Sequence, residues 1–164
     1  MIHRLKMAAA VFAAGVLLQG NAFAHTGETH DGMMEYDGTE TEFGSYDPDM
    51  KADRTIEVSM SDDMKFTPDV INVKQGEVLK FVHTNKGKLM HEFVLGTPEL
   101  LDEHAEMMKK FPGMEHDEPY MLHVPPGKSG AMMWRFDQPG EISFGCLIPG
   151  HFDAGMKGKL VVEN

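Results

Sequence analysis

Apolar and polar residues alternate over several short stretches of this chain. In Thr55-Ile-Glu-Val-Ser-Met60 the residues Ile56, Val58 and Met60 share one face, the period of a half-buried strand. Val70 to Val73 and Val78 to Thr84 read the same way, and Lys74-Gln-Gly76-Glu supplies the turn between them. Met90 to Leu95, Ala131 to Phe136, Glu141 to Phe144 and Lys159 to Val162 complete the set. Short strands punctuated by Gly and Pro predict an all-β domain, a Greek-key β-sandwich of about eight strands. One segment departs from this period. From Thr97 to about Lys110 the pattern is helical, with Thr97 as N-cap, Pro98 at the first helical position and Lys109-Lys110 in the last turn, ending at Pro112-Gly113. The stretch from Phe111 to Gly127 then reads as a long loop, a feature often tied to function.

The amino end has another character. A basic start with Arg4 and Lys6, an apolar run from Met7 to Leu18 and the small-x-small site Ala22-Phe23-Ala24 predict a signal peptide over residues 1–24. The apolar run is shorter than the roughly 20 residues that span a bilayer, so no membrane insertion is expected after cleavage. Residues 25–54 are acidic and glycine-rich, with almost no β-branched aliphatics, and are expected to be a flexible extension ahead of the domain at 55–164. Cleavage removes two bases and no acid, moving the formal charge from −11 to −13. Nucleic acid and anionic membranes, which need basic patches, are thereby poor partners, while cations and basic proteins suit the chain.

The chain has one cysteine, so no internal disulfide is possible, and a bare thiol would be a liability in an oxidising compartment. Its setting gives it a use. Cys146-Leu-Ile-Pro-Gly-His151-Phe-Asp-Ala-Gly-Met156 collects a thiolate, an imidazole and a thioether in one loop containing Gly150 and Gly155. One thiolate and two imidazoles in a plane, with a weak axial thioether, form the donor set that selects copper for electron transfer. His91, at the start of the apolar run Glu92 to Leu95, is the best candidate for the second imidazole. The expected metal ligands are therefore His91, Cys146, His151 and Met156.

With this upstream histidine and the Cys-x4-His-x4-Met loop ahead of a final strand, residues 55–164 resemble the cupredoxins, the type 1 copper proteins, and the loop is most similar to the rusticyanin type. The resemblance implies one type 1 copper as cofactor, a cupredoxin-like sandwich, and an electron port at His151 within an apolar patch to which Pro149 and Phe152 would contribute. It also exposes a departure: many cupredoxins follow the upstream histidine with Asn, and here Glu92 stands there.

Nine histidines and 15 methionines are far more than two imidazoles and one thioether require. They gather in the extension, at His25 and His30, and in the helix and long loop, at His104, Met107, Met108, Met114, His116, Met121 and His123. Thioethers favour Cu(I) and imidazoles accept either oxidation state, so these residues are candidates for additional copper ions. After cleavage His25 would also offer an α-amino group to the same ion. Plain packing is the competing explanation: Met108 with Leu101 and Ala105 is the stripe of a helix lying on a sandwich. His83 is expected to be structural or solvent-exposed, not a ligand.

The ligand set and the excess of His and Met resemble the copper-tolerance branch of the cupredoxins. The resulting expectation is a periplasmic copper-handling protein that passes single electrons through its copper centre, with copper ions and a redox protein as partners. Two alternatives remain open at this level: a simple one-electron carrier between respiratory proteins, and an oxygen-using Cu(I) oxidase.

Overall fold

The computed structural model describes residues 36–113 and 116–164. The signal-peptide segment, His25, His30 and Met114 lie outside the described residues. Eleven strands and one helix are present among those described. In chain order they are β1 (Thr39–Thr41), β2 (Gly44–Tyr46), β3 (Arg54–Ser61), β4 (Lys65–Thr67), β5 (Val70–Lys74), β6 (Val78–Asn85), β7 (His91–Gly96), α1 (Pro98–Lys110), β8 (Met121–Val124), β9 (Ser129–Arg135), β10 (Gly140–Gly145) and β11 (Lys157–Glu163). They form two packed sheets, ordered β1-β2-β9-β6-β3-β4 and β5-β11-β10-β7-β8. Both are mixed, because β3 runs parallel to β6 and β5 parallel to β11 while the remaining pairs are antiparallel. The expected all-β sandwich with a helical insertion is the observed architecture.

Of the β3 residues expected to share one face, Val58 and Met60 are buried and Ile56 is partly so. Val58 and Met60 of β3, Leu79 and Phe81 of β6, and Phe93 and Leu95 of β7 are buried together with Trp134, Phe136 and Phe144. Aromatic rings meet edge to face or offset, as between Phe66 and Phe144 at 5.3 Å, the arrangement their quadrupoles favour. His83 takes the inward position between Phe81 and Asn85 on β6. It is fully buried, its ring 4.2 Å from that of Phe93, and neither ring nitrogen has a hydrogen-bond partner. Of the two placements expected for it, the buried one holds.

Residues 39–46, expected in the flexible extension, instead form the β1–β2 hairpin on the edge of the first sheet. Phe43 and Tyr46 are the reason. Both are buried in the main core, Phe43 stacks on Trp134 at 5.5 Å, and its carbonyl accepts the indole N–H at 3.2 Å. Two aromatics are a weak signal in a run of acids and glycines, which is why composition pointed elsewhere. The long loop likewise contains β8, whose four residues are flanked by Pro119 and Pro125.

Helix α1 starts at its expected cap, with the Thr97 side chain accepting from the Leu100 amide and Pro98 next in the chain. Leu101, Ala105 and Met108 pack on Val94, Met121 and Leu147, making a second small core outside the sandwich. None of the helices among the described residues is long and apolar enough to cross a membrane.

Candidate metal centre

His91 opens β7, and the loop from Cys146 to Met156 joins β10 to β11 at the same end of the sandwich. Within that loop the turns close locally, His151 N–H donating to the Ile148 carbonyl and Met156 N–H to that of His151. Gly150 and Gly155 adopt φ of 90° and 96°, conformations that side-chain-bearing residues avoid. The Cys146 amide donates to the Met156 carbonyl at 3.0 Å, so both ends of the loop are held together.

This brings His91, Cys146 and His151 into one group whose donor atoms all lie within 4.8 Å of one another. The Cys146 Sγ and His151 Nδ1 are 3.3 Å apart, and the two imidazole rings 5.1 Å. His91, Cys146 and Met156 are fully buried, Cys146 and Met156 within the main core, while His151 is partly exposed. Phe152 packs against Gly145 and under the Lys157 ammonium, and Leu147 is buried.

The chemistry of these donors calls for a cation. His91 Nε2 is fixed by Asp62 Oδ1 at 3.2 Å, yet its buried Nδ1 has no hydrogen-bond partner. A buried nitrogen left so is costly unless something binds it. Burial pushes the Cys146 thiol up to about 12, against the pull of the Glu92 and Ile148 amides, so a thiolate at neutral pH requires a positive partner. His151 is held below its ordinary range by burial and then by His91, which keeps its imidazole neutral and able to donate a lone pair. A thiolate and two imidazoles, with the Met156 thioether as the expected fourth donor, form a set that fits copper.

A sequence model of the copper-binding proteins of the plastocyanin/azurin family matches residues 52–163. The chain belongs to that family. It is 44% identical over 155 residues to the copper-resistant cuproprotein CopI of Rubrivivax gelatinosus, covering 94% of this chain and 92% of that one. The protein of the same description from Vibrio cholerae is 37% identical over 128 residues, covering 77% of this chain and 75% of the other. Among solved structures, auracyanin B superposes with a TM-score of 0.61 at 22% identity, covering 71% of this chain and 93% of that chain. An azurin from Methylomonas sp. strain J gives 0.56 at 18% identity, with 69% and 100% covered. This cupredoxin is thus of the CopI type, and copper is its cofactor.

Around the centre, three residues do work that local sequence did not announce. Asp62 accepts the amides of Lys88 at 2.8 Å and Leu89 at 3.2 Å besides holding His91, and these contacts, the Lys88 amide above all, keep its carboxyl below the usual range. Asn85 donates to the Leu89 and Val124 carbonyls and accepts from the Gly87 amide, fastening the loop that precedes His91. Glu92, flagged only as an unusual neighbour, is 2% exposed; its amide donates to Cys146 Sγ at 3.3 Å and its Oε2 accepts the Leu147 amide at 3.2 Å. It therefore ties the strand of His91 to the loop of Cys146. Asp62 lies 29 residues from His91, and no spacing rule links them.

The further copper candidates divide. Met108 and Met121 are buried in the small core under α1, where packing accounts for them. Met107 is 44% exposed, on a different side of the helix from Met108. His104, His116 and His123 come to the same region: the rings of His104 and His116 stack at 5.2 Å, and His123 Nε2 lies 3.2 Å from Glu92 Oε1.

Proposed function

We propose that this cupredoxin is an exported, periplasmic copper-handling protein whose type 1 centre, held by His91, Cys146, His151 and Met156, accepts and donates single electrons in support of copper tolerance. The convergence of three donor atoms within 4.8 Å, one of them a buried imidazole nitrogen with no other partner, is the observation that carries the reading. The names of its relatives, copper-resistant cuproproteins aligned over most of their length, support the tolerance role.

Copper bound here supplies a reversible Cu(I)/Cu(II) couple. The protein contributes rigidity: Asp62 fixes the His91 ring, the Glu92 amide and carboxylate hold Cys146 and Leu147, and Met156 is locked in the core. Ligands that cannot move between oxidation states add little to the electron-transfer barrier. Partly exposed His151 is the point nearest solvent and the natural port for an electron entering from a partner protein or from Cu(I). Oxidation of Cu(I) at this port, one electron leaving that ion for the oxidised centre and then for a redox partner protein, is the route by which such a centre would lower copper toxicity.

Titrating the protein with copper while following visible absorption tests the assignment. A thiolate-to-copper band that grows to saturation at one equivalent, and is lost in Cys146→Ser, is expected. No band at all would overturn the type 1 reading, and a band that cannot be reduced by Cu(I) would overturn the oxidation step alone.

A further inference from the structure

Successive residues of a strand face opposite sides. On β7, Phe93 enters the main core and Val94 the small core under α1, so His91 faces the Cys146 loop and Glu92 faces the helix side. Across the β7–β8 pair the residue in register with Glu92 is His123, whose Nε2 lies 3.2 Å from Oε1, while its Nδ1 lies 3.7 Å from Asp117. Helix α1 lies over this face through Leu101, Ala105 and Met108, so His104, on the same stripe, comes down toward Glu92. The proton affinity of His104 is lowered chiefly by burial, with Glu92 acting to raise it and His116 to lower it. His116, exposed in the loop after the helix, completes the group by stacking on His104 with 30° between the rings.

We propose that His104, His116, His123 and Glu92 form a second cation site, back to back with the type 1 centre across β7, that takes a borderline divalent ion of the Cu(II) or Zn(II) class. Three imidazoles and a carboxylate are donors for that class, with Cu(II) the strongest binder among first-row divalent ions. The site is open: among the described residues only His91, Cys146 and His151 already hold three donors within 4.8 Å. An ion gathers the second group by rotamer changes of His116 and His123, side chains that retain exposure to solvent. It sits in a strongly acidic chain of net charge −11, which concentrates cations at its surface.

Glu92 links the two sites. Its Oε1 faces the second site, while its Oε2 and amide engage Leu147 and the Cys146 sulfur. An ion on Oε1 pulls on the same carboxylate that positions the Cys146 loop. Filling the second site therefore shifts the thiolate band of the first, a coupling that rests on the type 1 reading, whereas the binding itself does not.

The test uses the chain with residues 25–54 retained, carrying one equivalent of copper, and adds Zn(II) as a spectroscopically silent probe. Wild type is compared with His104→Asn/His116→Asn/His123→Asn by equilibrium dialysis and visible absorption. The expected result is one fewer Zn(II) per chain in the triple variant, and a Zn(II)-dependent shift of the thiolate band in wild type only. Equal Zn(II) counts overturn the site. Should the triple variant lose its fold, His116→Asn alone, at an exposed position, decides: a tenfold or greater loss of Zn(II) affinity supports the site and unchanged affinity overturns it. Absence of the thiolate band in wild type removes the type 1 reading, and the Zn(II) count still stands by itself.

Discussion

The amide of Glu92 donates to the Sγ of Cys146 at 3.3 Å, joining the strand that carries one imidazole to the loop that carries the thiolate and the other. The same residue closes a second bond through its carboxylate to the Leu147 amide. Glu92→Ala leaves that buried amide and the facing His123 without this acceptor, at a cost of about 1–3 kcal/mol. Chemical denaturation of the metal-free protein is expected to show that loss, and Glu92→Gln, which keeps an acceptor, to recover most of it. Equal stability of Ala and Gln variants would count against the clamp.

Asp62 orients His91 without being a ligand. Partners of this kind are worth about 10- to 100-fold in metal affinity. Asp62→Ala should weaken copper binding by that factor in a chelator competition, while the energy of the thiolate band changes little because the proposed donors remain. Undiminished affinity would show that the Asn85-fastened loop suffices to hold the ring.

His83 makes the fold sensitive to acid. Burial lowers its pKa from 6.5 to about 3. Its neutral form is therefore the one the native state accepts, and the contribution is fully present above about pH 6.5. As pH falls from there toward 3 the unfolded chain takes up a proton that the folded chain refuses, and stability drops by about 1.4 kcal/mol per pH unit from this group. His83→Leu removes the two unpartnered nitrogens and this proton. Urea midpoints measured from pH 7 to pH 4 should fall less steeply in the variant, with no loss at pH 7; parallel profiles would refute the assignment.

The β1–β2 hairpin is part of the folded unit through Phe43. Replacing Phe43 by Ala empties a site between Tyr120 and Trp134 and is expected to cost about 3–5 kcal/mol. Thermal unfolding of the metal-free protein should fall by about 10 °C or more. A change of under 1 °C would mean that the hairpin is dispensable to the sandwich.

Alternation along β3 and β6 was legible because each strand buries one face in a core, and that burial writes a period of two into the chain, whereas β7, buried on both faces, was legible as an apolar run. The cap at Thr97 and the stop after Lys110 were equally plain, since both are local chemistry. The Cys146 to Met156 loop could be read for the same reason: three donor types fall within eleven residues, and its glycines announce the turns. His91 was identifiable by its position at the head of an apolar strand. The sequence by itself thus determined the sandwich and the helix, and it named four candidate copper ligands of which the fold gathers His91, Cys146 and His151. Contacts between distant segments were left to the tertiary structure. Only folding sets Asp62 against His91 and Trp134 over Phe43, and only the β7–β8 register puts Glu92 opposite His123 under a helix bearing His104. These pairs are separated by tens of residues and brought together by the burial of other side chains, so no local pattern records them.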